Sequence, residues 1–127
     1  MRRIVLDMQC RLFADAVSQS LSGNDPDFET LRAESSDETV RLCKSSFAYA
    51  VIMEVSALAS QRIEKRLALS AKVRESSPKT KIVFLVDERA DPGLAEEVRQ
   101  AKKDGLIDNF IYASVSSAYL SAIIDTL

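Results

Sequence analysis

The chain has 127 residues, 46% of them hydrophobic, with 17 Lys and Arg against 19 Asp and Glu and a formal net charge of −2. That length supplies one hydrophobic core, so residues 1–127 are expected to form one domain; the basic residues are scattered rather than gathered, so no direct contact with nucleic acid is expected. There is no histidine, which excludes imidazole acid–base catalysis, His-ligated metals and a phosphorelay histidine together.

Cys10 and Cys43 have no vicinal partner, and the opening MRRIVLDMQC interrupts its apolar run too early for a signal peptide. No apolar run approaches the roughly 20 residues of a membrane span. A cytoplasmic protein that does not enter the membrane is the expectation.

In chain order, Arg3 to Met8 is a compact apolar run that reads as a strand. Leu12, Phe13, Ala16, Val17 and Leu21 then fall at helical spacing from about Arg11. Turn residues gather in SGNDPD, Ser22 to Asp27, and a short polar strand follows over Phe28 to Ala33. Ser35 and Glu38 have the spacing of a capping box at the head of a second helix. The stretch FAYAVIMEVSA, residues 47 to 57, reads as a buried third strand whose tip carries Glu54.

Gln61 to Ser76 places Ile63, Leu67, Ala71 and Arg74 on one helical stripe, widened by Leu69 and Val73, before Pro78 stops it. KIVFLVD, Lys81 to Asp87, is the clearest strand. Asp91 and Pro92 supply an N-cap and a first-turn proline for a fourth helix lined by Leu94, Val98 and Ala101, and Gly105 ends it. LIDNFIYA, residues 106 to 113, is the fifth strand, and Ser116 and Ser117 cap a last helix with Leu120, Ile123, Ile124 and Leu127.

Five strand–helix repeats joined by short connections predict an α/β flavodoxin-like (βα)5 doubly wound sandwich, a five-stranded parallel sheet of order 2-1-3-4-5. Right-handed crossovers bring the C-terminal ends of strands 1, 3 and 4 together. Asp7, Glu54 and Asp87 occupy those ends, so Asp7 and Asp87 are candidates for a residual carboxylate pocket beside Glu54. Glu54 itself admits two roles, a plain strand-end carboxylate or a fixed negative charge standing in for a phosphorylated aspartate.

Other chemistries fail on the residues. Cys10 precedes a helix, where a thiolate is favoured, but Ala16 stands where a cysteine phosphatase loop needs Arg. Asp7 has Gln9, not a second acid, two residues on, and Gly23, Gly93 and Gly105 are too far apart to cradle a phosphate. No metal site and no cofactor are expected.

The whole chain resembles the receiver domain of bacterial response regulators. IVLDMQCRLFADAVSQSL is similar to that family's first strand and helix, AVIMEVSA to its third strand, IVFLVDE to its fourth and DNFIYAS to its fifth. The resemblance implies Met8 and Gln9 at the acidic pair, Glu54 at the phospho-acceptor, Val86 at the Ser/Thr switch, Phe110 at the aromatic switch and Ala113 at the Lys position. Met8 and Gln9 bring no charge to a Mg²⁺ site, Val86 has no hydroxyl and Ala113 no ammonium. The implied function is a degenerate receiver, a phosphorylation-independent and non-catalytic protein-interaction module, or the regulatory part of a transcriptional regulator. The implied partner is a protein or a second copy, through helix 4, strand 5 and helix 5, where Arg99, Lys102 and Lys103 accompany Ile111, Tyr112 and Tyr119. The rival reading is a small cytoplasmic flavodoxin-like enzyme or ligand-binding protein using the strand-end carboxylates.

Overall fold

The structure, a computed structural model, describes all residues 1–127. Its elements alternate: β1 (Arg2–Asp7), α1 (Arg11–Asn24), β2 (Phe28–Arg32), α2 (Ser36–Ser45), β3 (Ala50–Val55), a 3-10 turn (Ala59–Gln61), α3 (Ile63–Ser76), β4 (Lys81–Val86), α4 (Pro92–Lys103), β5 (Asn109–Tyr112) and α5 (Ser117–Asp125). The sheet is parallel throughout, in the order β2-β1-β3-β4-β5. This is the flavodoxin-like topology that the alternation of elements predicts.

Strands alternate their side chains between the two faces, and the two cores follow that alternation. Val5, Val51, Met53, Ile82, Phe84 and Val86 pack under α2, α3 and α4. Ile4, Leu6, Met8, Ile52, Leu85 and Ile111 pack under α1 and α5. β3 and β4 are apolar on both faces because helices cover both, as parallel sheets require.

The caps form as expected, with one shift. Ser35 Oγ accepts the Glu38 N–H at 3.2 Å, but the Glu38 carboxylate reaches the N–H of Glu34, not Ser35, at 3.1 Å. Asp91 Oδ1 accepts the Leu94 N–H at 3.0 Å and Gly105 follows α4 with φ 77°.

Four helix and strand expectations need correction. In α1 the buried residues are Ala14, Val17 and Leu21, while Leu12 is 80% exposed and Ala16 lies outside. Val17 and Leu21 set the phase, and Leu12, five residues before Val17, falls well off their line at 100° per residue. In α3 the buried stripe is Ile63, Arg66, Leu69, Ser70 and Val73; Ala71 is exposed, and Leu67 and Arg74 are half-buried. β3 starts only at Ala50, because Phe47 and Ala48 close the turn that ends α2, and β5 covers only Asn109–Tyr112.

Candidate functional site

The C-terminal ends of β1 and β3 lie side by side, Asp7 paired with Met53. Asp7 follows the alternation of Val5 and so faces α2 and α3. There its Oδ2 accepts the Thr39 hydroxyl of α2 at 2.7 Å and pairs with Nη1 of Arg66 at 2.9 Å. Arg66 comes from the buried stripe of α3 and is 3% exposed. Its Nε donates to the Glu54 carbonyl at 2.8 Å and its Nη2 to the Asp7 carbonyl at 3.2 Å. One guanidinium therefore ties the ends of β1 and β3 to α3 and holds the charge of a nearly buried carboxylate, with each hydrogen bond charge-assisted.

Glu54 follows the alternation of Ile52 and faces the other way, toward the start of α1. Its Oε1 accepts Nε2 of Gln61 at 3.2 Å. Gln61, 2% exposed, takes the Ser56 hydroxyl on its Oε1 at 2.7 Å and the Ser56 N–H on its carbonyl at 3.0 Å. The loop after β3 thus closes on itself, with Glu54 latched to it. By strand alternation Asp7 and Glu54 project toward opposite faces of the sheet.

The remaining predicted positions do not converge. Asp87 is exposed, and its Oδ1 accepts the N–H groups of Arg89 and Ala90, both at 3.1 Å, as a turn residue does. No group of three or more ligating side chains gathers anywhere in the chain. The pocket expected from Asp7 and Asp87 beside Glu54 is therefore not assembled: each carboxylate is committed to its own loop or ion pair. Met8 is 2% exposed in the α1–α5 core and Gln9 is exposed, so the β1 side chain that reaches the α2–α3 side is Asp7. Val86 is buried in the opposite core, and the Ala113 N–H bonds to its carbonyl at 2.9 Å, which places Ala113 beside Val86. Cys10 is exposed at the start of α1 without a hydrogen bond as cap, while Cys43 is buried. Burial, with the nearby Asp7 charge second, pushes the Cys43 thiol up to about 12.

On the face of α4, β5 and α5, Ile111 is 1% exposed and belongs to the core, not to the surface. Phe110 and Tyr112 are half-buried, their rings 5.4 Å apart, with the Lys102 ammonium 5.7 Å from the Phe110 ring. Arg99 bridges Glu96 and the Tyr112 hydroxyl, and these two partners hold its guanidinium above its ordinary range. Tyr119 is 55% exposed.

Arg66, Thr39 and Gln61 are the site residues that the sequence does not announce. The one signal for Arg66 is its spacing, three residues from both Ile63 and Leu69, which puts a cation in the apolar stripe.

The strand order, with four crossover helices and a fifth helix after the last strand, is the fold that response regulator receiver domains share. No protein-family model matches the chain, and no curated protein matches it. Solved structures do. A response regulator receiver domain protein from Clostridium thermocellum superposes with TM-score 0.78 at 16% identity, over 99% of this chain and 93% of that one. A CheY-like protein, TadZ, from Pseudomonas aeruginosa PAO1 gives 0.76 at 17% identity, over 99% and 98%. A LuxR family DNA-binding response regulator from Silicibacter pomeroyi gives 0.74 at 13% identity, over 98% and 89%.

Proposed function

We propose that this chain is a degenerate receiver, a signalling module that acts through protein contacts without being phosphorylated and without catalysing a reaction. One observation carries the reading: Arg66 occupies the only acid at the end of β1 that faces the α2–α3 side, Asp7, at 2.9 Å. Mg²⁺-assisted phosphoryl transfer needs carboxylates free to hold a hard cation. Here a guanidinium fixed by three oxygens stands on Asp7, and Met8 is apolar and in the core. The Gln61 latch favours Glu54 as an anchor of its loop over a phosphate mimic, since no hydroxyl at Val86 and no ammonium at Ala113 would read its charge.

The partner in this reading is a protein or a second copy that meets the face of α4, β5 and α5 through Tyr112, Tyr119, Lys102 and Lys103, in the cytoplasm. No helix is long and apolar enough to cross a membrane. The likeness to a DNA-binding response regulator supports a place as the regulatory part of a transcriptional regulator.

The test is incubation with Mg²⁺ and acetyl phosphate followed by intact mass, on wild type and on Glu54→Asp. Neither is expected to gain a phosphoryl group, because the substitution restores an acceptor but not the cation site. An added phosphoryl group on either protein would overturn the reading.

A further inference from the structure

At the end of the sheet opposite Asp7 and Glu54, one residue is placed against both backbone preference and burial. α2 ends in a Schellman turn: the Phe47 N–H bonds to the Lys44 carbonyl at 3.4 Å and the Ala48 N–H to the Cys43 carbonyl at 3.1 Å. That turn needs a left-handed residue after the helix, ordinarily glycine. α4 ends in the same way, and there Gly105 takes the position with φ 77°. In α2 the position is held by Phe47, with φ 51° and 88% of its surface exposed. A bulky side chain in this conformation is an outlier, and neither the turn nor either core needs an aromatic ring here.

Four cations lie at the same end of the molecule as this ring. Lys44 is three residues before it. The Thr80 hydroxyl donates to the Ala48 carbonyl at 2.8 Å and the Lys81 N–H to the Tyr49 carbonyl at 3.0 Å, which brings Lys79 and Lys81 to the same end. Arg3 reaches the Ser46 carbonyl at 3.5 Å. Of these four cations only Arg3 has a carboxylate partner, Glu29 at 3.8 Å.

The same chain carries a surface of the opposite kind. Between the first turns of α3 and α4, beyond the C-terminal ends of β3 and β4, lies an open cleft of ≈ 460 Å³. Ile63 and Leu94 line its apolar part, and Glu64, Asp91 and Glu97 stand around it against the single cation Arg62. Clefts that take small organic groups run from roughly 300 to 1,000 Å³, so a phenyl ring fits.

We propose that these surfaces are the two halves of one contact between copies of this chain: Phe47 of one molecule enters the α3–α4 cleft of the next, with Lys44, Lys79 and Lys81 facing Glu64, Asp91 and Glu97. The halves lie at opposite ends of the strands. A molecule that offers its Phe47 end keeps its own cleft free, so the association is head to tail and does not close as a two-fold dimer. It shares α4 with the α4, β5 and α5 face but uses none of Lys102, Lys103, Tyr112 and Tyr119, and it involves neither Asp7 nor Glu54. Because unpaired surface charges align across it, it weakens as salt rises.

Sedimentation of wild type from micromolar to submillimolar concentration, at low and high salt, reads the association. Phe47→Gly removes the ring and suits the left-handed backbone, so it melts no lower than wild type while the association weakens at least about tenfold, as loss of an aromatic anchor does. Phe47→Asn, which also tolerates this conformation, behaves likewise. The double variant Glu64→Lys/Glu97→Lys is expected to lose the contact from the cleft side. Each variant alone has one intact half, so an equimolar mixture of Phe47→Gly with the double variant regains a single salt-sensitive contact per pair of molecules and grows no further. Three results would overturn the proposal: wild type strictly monomeric throughout, Phe47→Gly and Phe47→Asn associating as wild type does, or a mixture that fails to pair.

Discussion

Removing the Arg66 side chain is the sharpest perturbation of the strand-end site. Arg66→Met keeps the aliphatic stem in the α3 stripe but deletes the guanidinium that holds the Asp7 carboxylate and two strand-end carbonyls. Breaking a buried ion pair from one side costs about 3–5 kcal/mol, because the remaining charge is left without compensation. With unfolding entropy of about 2.1 cal/mol/K per residue, or roughly 0.27 kcal/mol/K for this chain, that lowers Tm by about 11–19 °C. Asp7→Asn alone leaves the guanidinium without its anion and is expected to cost a comparable amount. The double variant Arg66→Met/Asp7→Asn leaves no unpaired charge and should recover about 2 kcal/mol or more relative to the sum of the singles, since contacting partners are not additive. Urea unfolding of the four proteins, followed by circular dichroism, closes the cycle. A single Arg66→Met loss below about 1 kcal/mol, or strict additivity in the cycle, would refute the clamp.

Two smaller effects follow from the same coordinates. The Cys43 thiol, held up to about 12 from 9.0, stays protonated in the folded chain while the unfolded thiol ionises. The unfolded state therefore binds fewer protons above pH 9, and this contribution to stability is full below that pH and is lost as pH rises toward 12, by at most about 4 kcal/mol at 1.36 kcal/mol per pH unit; the difference in urea stability between wild type and Cys43→Ala, measured from pH 8 to 11, should shrink with pH, and a flat difference would contradict the burial argument. Asp91→Ala removes the side chain that accepts the Leu94 N–H and is expected to cost about 1 kcal/mol, read as a lower urea midpoint at unchanged slope.

The architecture was legible because it rests on local rules. Apolar runs of strand length, caps at Ser35, Asp91 and Ser116, and a glycine after α4 mark element after element, and alternating strands and helices admit few topologies. The acidic strand tips were legible too. Their grouping was not, because a carboxylate one residue nearer or farther along a strand changes face: Asp7 turns to α2 and α3, Glu54 to α1, and Asp87 leaves the sheet for a turn. Phase within a helix was equally closed to the sequence, since Leu12 and Leu67 look as apolar as Val17 and Leu69 until docking fixes which side is buried. Arg66 shows the difference best. By sequence it is one of 17 basic residues, and only tertiary packing, which brings the tips of β1 and β3 under α3, turns it into the buried cation that pairs with Asp7.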